Sequence, residues 1–416
     1  MTTIFLSGMA CQKVGKRQMK LSINKVSGLL GGLLLSVISS NSWAVANCSF
    51  DAGATQTQTV PLSPPVISAG ADIPVGTILY QGSWSMKNTK MGCQWAQADV
   101  GKSFWYSNST LISNAPLPLS GLMTGPFAGA VYQTNIPGVG VVISRAASGN
   151  PIIPTRPAVT TDAEHPIRQV GNELGGALDF VGSTRYVSLI KTGPITPGSF
   201  TMSGANFPSV KTVLEPPVNS HPGSAAVTGL PFTFYNINFQ GTLRISSQTC
   251  TTPDVSVKLG SFDIREHFTR IGATTPWVDA SINLTNCPTF YGFYNSTNTT
   301  KLMDYNTGLA TVSTALNNSV GVRLAPTTSV IDAANGVMAI DSTLSGAASG
   351  VGIQIGWGDS SQAPTLFNLA SEQSVALPKD GSPTIRIPLA ARYIQTAAAP
   401  TPGKAEGKVV FTVNYY

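Results

Sequence analysis

Apolar and polar residues alternate along this chain in short bursts. Val409, Phe411, Val413 and Tyr415 interleave with Val410, Thr412, Asn414 and Tyr416. Period two is the strand period, so this segment is expected to carry one uniformly apolar face. No later strand of the sequence follows to cover its edge. Unless an earlier strand pairs there, its free N–H and C=O groups need a partner from elsewhere. Similar runs cover Ile73–Tyr80, Tyr132–Ile143 and Val187–Gly193 in the first half. In the second half they cover Val255–Gly260, Val278–Leu284, Val320–Leu324, Val351–Trp357 and Ile385–Tyr393. Gly, Pro, Asn and Asp turns separate them. Many short alternating strands between such turns predict an all-β fold of β-sandwich type.

Composition narrows the class. A chain of 416 residues suggests two or three domains. Only 11% of its residues are charged, against about 25% in ordinary soluble domains. Residues 1–44 hold Lys13, Lys16, Arg17, Lys20 and Lys25, no Asp or Glu, and an apolar run over Val26–Ile38. This is the pattern of a secretory signal with cleavage near Ala44, or near Ala46, and with Met1 or Met19 as the start. The run is too short to span a bilayer well, and no later stretch suits a transmembrane segment. Without residues 1–44 the formal charge falls from +6 to 20 − 19 = +1, which gives no electrostatic case for nucleic acid.

Cys11 lies in the signal, leaving Cys48, Cys93, Cys250 and Cys287 in an exported protein. Four cysteines allow three pairings. The sequential one, Cys48–Cys93 and Cys250–Cys287, is preferred because each bridge then stays within one domain. Each would be worth up to ~4 kcal/mol by the chain-entropy model.

The second half resembles the pilin domain of type 1-like fimbrial subunits assembled by the chaperone–usher pathway. The resemblance rests on Cys250 and Cys287 with Val255-Ser256-Val257-Lys258-Leu259-Gly260 between them. It rests also on Gly350–Ile355, on Leu389–Tyr393, and on a tail with Gly403 fourteen residues from the end and Tyr415 penultimate. It implies an incomplete immunoglobulin-like domain lacking its last strand. A periplasmic chaperone fills the open groove first, and the N-terminal strand of the next pilus subunit replaces it after passage through the outer-membrane usher. Gly403, Val409, Phe411, Val413, Tyr415 and Tyr416 would form the chaperone and donor-strand edge. The Tyr416 carboxylate would be held by basic chaperone residues. A bacterial reading leaves the sequons at Asn283, Asn295 and Asn298 without glycans.

The first half resembles, more patchily, the lectin-like receptor-binding domains of fimbrial tip adhesins. The stretches that carry this are Pro74–Thr77, Thr134–Gly140 and Leu189–Gly193. The expected organisation is a signal over 1–44, an adhesin domain over 45–245 and a pilin domain over 246–416. The proline-rich stretch Glu215–Pro231 is an alternative linker. Cleavage after Ala44 would leave only Val45, Ala46 and Asn47 before Cys48. A donor strand needs roughly ten residues at ~3.3 Å each. Such a subunit would accept a strand and offer none, which suits the extracellular fimbrial tip.

A tip adhesin would bind a host glycan or glycoprotein. Aromatic faces stack on sugars, and amides and carboxylates bind hydroxyls. Trp84, Trp95, Asp99, Trp105, Tyr106 and Asn108 concentrate both chemistries, three of the six tryptophans falling within 22 residues. Asn135, beside the Pro137-Gly138 turn, is a further candidate. The competing readings are core aromatics and a turn asparagine. Mannose specificity finds no support.

His165, His221 and His267 are too widely spaced for a metal site. Gly101-Lys102-Ser103 lacks the first glycine of a P-loop, Ala96 standing in its place. No cofactor and no enzyme activity are expected. The alternatives are a structural minor pilin or tip cap without a receptor and, more remotely, a secreted hydrolase with two carboxylates.

Overall fold

A computed structural model describes residues 45–416 except 154–157, 168–173, 181, 218, 223 and 247–248. The signal expected over residues 1–44, with Cys11, lies outside the described residues. The described chain is nearly all β, with one short α-helix at Ile264–His267 and a 3-10 turn at Gln97–Asp99. Among the described residues no helix is long and apolar enough to cross a membrane.

In the first half two sheets face each other. The larger runs through Gly175–Phe180, Thr89–Gln94, Val45–Phe50, Ser224–Thr228, Ser103–Asn114, Ser209–Glu215, Phe232–Ser246 and Gly198–Met202, with side branches. The smaller centres on Ile78–Ser85, Thr184–Lys191 and Val139–Ala146. Their inner faces interdigitate: the buried Trp84 ring of the smaller sheet meets Phe239 of the larger edge-on at 5.1 Å. In the second half Leu389–Gln395 and Val351–Trp357 pair antiparallel in one sheet. Ser319–Pro326 and Val409–Tyr415 pair antiparallel in another.

The apolar interior follows this division. One cluster gathers residues from Ala46 to Ile245 together with Tyr294 and Leu302. Another gathers residues from Cys250 to Tyr415. Cys48 and Cys93 are bonded and sit directly opposite in paired strands. Cys250 and Cys287 are bonded in the second half. The sequential pairing is the one the fold adopts.

Several strands differ from expectation, each for a local reason. The run over Ile73–Tyr80 becomes strand only from Ile78, because Pro74 and Gly76 (φ 95°) form a turn. The run over Tyr132–Ile143 folds into a hairpin, Tyr132–Gln133 against Val139–Ala146. Gly138 (φ 77°) sits at its turn, where an added Cβ would fall 2.1 Å from the Pro194 carbonyl oxygen. Pro388 divides Ile385–Ile387 from Leu389–Gln395. Val255–Gly260 joins no sheet among the described residues.

The two halves share a sheet. Thr300–Asp304, from the second half, pairs in parallel with Ile78–Ser85 and extends the smaller sheet of the first. Its Leu302 packs so close to Gly82 that a Cβ there would lie 2.5 Å from the leucine Cδ1. Thr300–Asp304 also forms a hairpin with Leu309–Thr311, and Asn306 fastens it further, accepting from the Asn88 N–H at 2.7 Å and donating to the Met86 carbonyl at 3.1 Å. Leu302→Ala should therefore cost about 2–4 kcal/mol in urea unfolding. It should also speed amide exchange along Ile78–Ser85. Unchanged exchange there would show that the hairpin is only loosely held.

Candidate functional site

The site grows out of the main-chain bonding of one strand. Tyr416 and Ser319 exchange two hydrogen bonds, at 2.8 and 3.0 Å, and the Thr327 N–H donates to the Lys408 carbonyl at 2.9 Å. Antiparallel ladders alternate, so every second residue turns its peptide groups to the partner strand. Val410, Thr412 and Asn414 therefore face Ser319–Pro326. Val409, Phe411, Val413 and Tyr415 turn their N–H and C=O groups to the opposite edge. On that edge no other strand pairs with Val409–Tyr415 among the described residues.

Across from this edge runs Val255–Gly260. Its side chains alternate as a strand's do, Val257 and Leu259 half-buried between exposed neighbours. Yet it belongs to no ladder. Between the two segments lies an open groove of about 520 Å³. Its walls include Val257, Leu259, Val409 and Phe411, and its floor includes Ile282, Leu324, Met338, Ile353 and Ile355. Two unpaired main-chain edges across an apolar floor are the shape of a sandwich short of one strand.

The six tail residues divide between different tasks. Val409 and Phe411 line the groove. Val413 shares their edge and packs against the core. Tyr415 does not offer a free edge: its N–H donates to Asp72 Oδ2 at 2.8 Å, and its carbonyl accepts from the Asp72 N–H at 3.1 Å. Its buried hydroxyl accepts from the Cys250 N–H at 3.1 Å, and burial pushes the phenol above its ordinary range. Tyr416 is likewise no edge residue, since its peptide groups pair with Ser319. Its hydroxyl donates to Glu372, which also accepts from Asn414 and Arg323. Gly403 lies outside the strand. A Cβ there would fall 2.5 Å from the Ala348 nitrogen, so glycine is needed for close backbone approach.

The aromatic candidates separate in the same way. Trp84, Trp95 and Tyr106 are buried core residues, which corrects their reading as receptor contacts. Trp84 packs on Phe239, and Trp95 stacks on Phe104 at 5.2 Å. Asp99 is buried in a short 3-10 turn, where its carboxylate takes the Lys102 ammonium at 3.0 Å. Trp105 is half-exposed and lies parallel to the His221 ring at 4.0 Å. Asn108 is half-buried on the same strand. Asn135 is exposed and donates to the Thr201 carbonyl at 3.3 Å. No hydrogen bond joins it to the aromatic candidates. Among the described residues no group of His, Cys, Asp and Glu is placed to hold a metal.

Sequence reasoning did not find Asp72 or the Glu372 cluster. A lone acidic residue in a Gly-Ala-Asp turn carries no local signal of the strand end it meets more than three hundred residues later.

Burial separates the tryptophans by stability. Trp84→Ala should cost about 3–5 kcal/mol in chemical denaturation. Trp105→Ala should cost under about 2 kcal/mol, since part of its surface is already exposed to water. Equal costs would mean that Trp105 is as much a core residue as Trp84.

The fimbrial protein family model matches residues 237–416. The chain is 26% identical to a fimbria adhesin protein of Klebsiella pneumoniae over 356 residues, covering 83% of this chain and 87% of that one. Among solved structures it is similar to the CupB6 tip adhesin from Pseudomonas aeruginosa, at 16% identity and a TM-score of 0.30, covering 89% of this chain and 95% of that chain. A chaperone–tip subunit complex of Csu pili from Acinetobacter baumannii matches at 11% identity and a TM-score of 0.20, covering 88% of this chain and 99% of that chain. The residues that line the groove all lie within the stretch that the fimbrial protein family model matches.

Proposed function

We propose that this chain is a fimbrial tip adhesin of two domains. Residues 45–245 bind a receptor on a host surface, a glycan or glycoprotein. Residues 246–416 anchor the subunit to the pilus by accepting a strand. The observation that carries this reading is the groove with an apolar floor between Val255–Gly260 and Val409–Phe411, flanked by two main-chain edges that pair with no strand among the described residues. An extended segment laid there gains main-chain hydrogen bonds from both edges and covers half-exposed apolar side chains, each worth on the order of 1 kcal/mol. In this reading a periplasmic chaperone supplies the strand first. At the outer-membrane usher a neighbouring subunit replaces it, and the finished protein stands outside the cell.

Two further observations support the tip position. Val45–Phe50 pairs with Thr89–Gln94 on one side and Ser224–Thr228 on the other, so this segment is already spent within its own sheet. The similarity to the Klebsiella fimbria adhesin covers the first half as well as the second. For the receptor, Trp105, Asn108 and Asn135 remain as candidate contacts.

A second reading is a structural tip subunit without a receptor. It is favoured by the burial of Trp84, Trp95 and Tyr106, which removes most of the expected aromatic platform.

Deleting the whole tail strand would not separate anchoring from folding, because Tyr415 belongs to the core. Leu259→Asp is the sharper test, since this residue lines the groove on a segment that pairs with nothing. Co-purification with the cognate chaperone should fall at least tenfold, while Trp105→Ala should leave it unchanged. Normal co-purification of the Leu259→Asp chain would sink the groove assignment. Glycan-array and matrix-protein binding by the full chain separates the two readings of the first half. A specific hit weakened by Trp105→Ala or Asn135→Ala supports the adhesin, and silence from the folded chain supports the cap.

A further inference from the structure

The groove is open along most of its length and shut at one end. Of the four residues that turn their peptide groups outward from the Val409–Tyr415 strand, three have none of those groups taken by the described residues. Tyr415 has both taken by one residue of the first half. The Asp72 carboxylate stands where a neighbouring strand would present a carbonyl, 2.8 Å from the Tyr415 nitrogen. The Asp72 N–H stands where that strand would present its donor, 3.1 Å from the Tyr415 carbonyl oxygen. One aspartate thus completes a two-bond pair without being part of a strand.

The turn that carries Asp72 is firmly set. Gly70 lies against the same Tyr415 carbonyl, and a Cβ there would fall 2.1 Å from its oxygen. The buried Lys191 ammonium donates to the Ala71 carbonyl at 2.7 Å. Buried Asn318 donates to the Ser68 carbonyl at 2.9 Å and to the Tyr416 carbonyl at 3.2 Å, tying turn and strand end together. The Tyr415 side chain is held at the same level. There the Tyr415 hydroxyl meets the Cys250 N–H.

We propose that Asp72 is a strand stop. It fixes the length and register of the extended segment that fills the groove, allowing pairing with Val409, Phe411 and Val413 and ending it before Tyr415. This rests on the strand-accepting reading of the groove given above. The occupant is an alternating apolar β-strand from another polypeptide, because only a strand satisfies two facing main-chain edges at once. The first half of the molecule thereby sets which strands the second half accepts.

The test uses the full chain and synthetic peptides of alternating Val and Thr, with a lysine at each end. They are lengthened two residues at a time from either terminus. For the wild-type chain, affinity should rise until the peptide spans Val409–Val413 and then stay within about twofold. For Asp72→Ala it should keep rising, by about fivefold for the next pair, since the Tyr415 N–H becomes available to the peptide while the backbone N–H of residue 72 still holds the Tyr415 carbonyl. Asp72→Asn keeps an acceptor oxygen and the N–H and should behave as wild type. Should Asp72→Ala fail to fold, the wild-type length series decides alone. Affinity that climbs past Val413 at an undiminished step overturns the stop, as does a plateau in Asp72→Ala identical to wild type. Amide exchange at Val409, Phe411 and Val413 tells the two ideas apart. If no peptide binds or protects these amides, the strand-accepting reading fails and the stop with it. If peptides protect them without a plateau, the stop alone fails.

Discussion

A strand has two edges, and each peptide group on them requires a hydrogen-bond partner or water. Val409–Tyr415 satisfies one edge with Ser319–Pro326. The outward groups of Val409 and Phe411 lie along a groove whose other bank, Val255–Gly260, is equally unpaired among the described residues. Open to solvent, these groups cost little as they stand. The apolar side chains beside them are what the missing strand would cover. The rest of the second half is arranged around this gap: three sheets, an apolar floor, and a segment with strand alternation and no ladder among the described residues.

The first half is fastened to that gap at several points. Thr300–Asp304 completes its smaller sheet, Asn318 bridges Ser68 and Tyr416, and Asp72 closes the end of the strand edge. A simple tether would leave two beads free to swing. Shared ladders and buried side chains instead make the position of each half depend on the other. Events in the groove therefore have a direct covalent and hydrogen-bonded route to the first half, through Tyr415 and the Gly70–Asp72 turn.

What was legible in the sequence were the features set by local period. Val409–Tyr415, Ser319–Pro326, Val351–Trp357 and Thr184–Lys191 emerge where alternation places them. The run at Val255–Gly260 has the same alternation and still makes no strand, because alternation reports side-chain faces and says nothing of a backbone partner. The aromatic cluster misled for a related reason. Whether Trp84 meets water or Phe239 depends on a sheet contributed by residues 150 positions later. Pairing between Thr300–Asp304 and Ile78–Ser85, and the Asp72–Tyr415 contact, span still longer separations and leave no local trace. Where Pro74, Gly76, Gly138 and Pro388 interrupt a run, the sequence does hold the signal, and backbone geometry outweighs apolar periodicity.

The most direct measurement places a photo-crosslinking phenylalanine analogue at position 411 in the chain co-expressed with its periplasmic chaperone. The account predicts a crosslink to an extended chaperone segment of alternating apolar residues, competed away when a strand-donating subunit is added. A crosslink only to residues of the same chain, from a folded protein in complex with the chaperone, would contradict it.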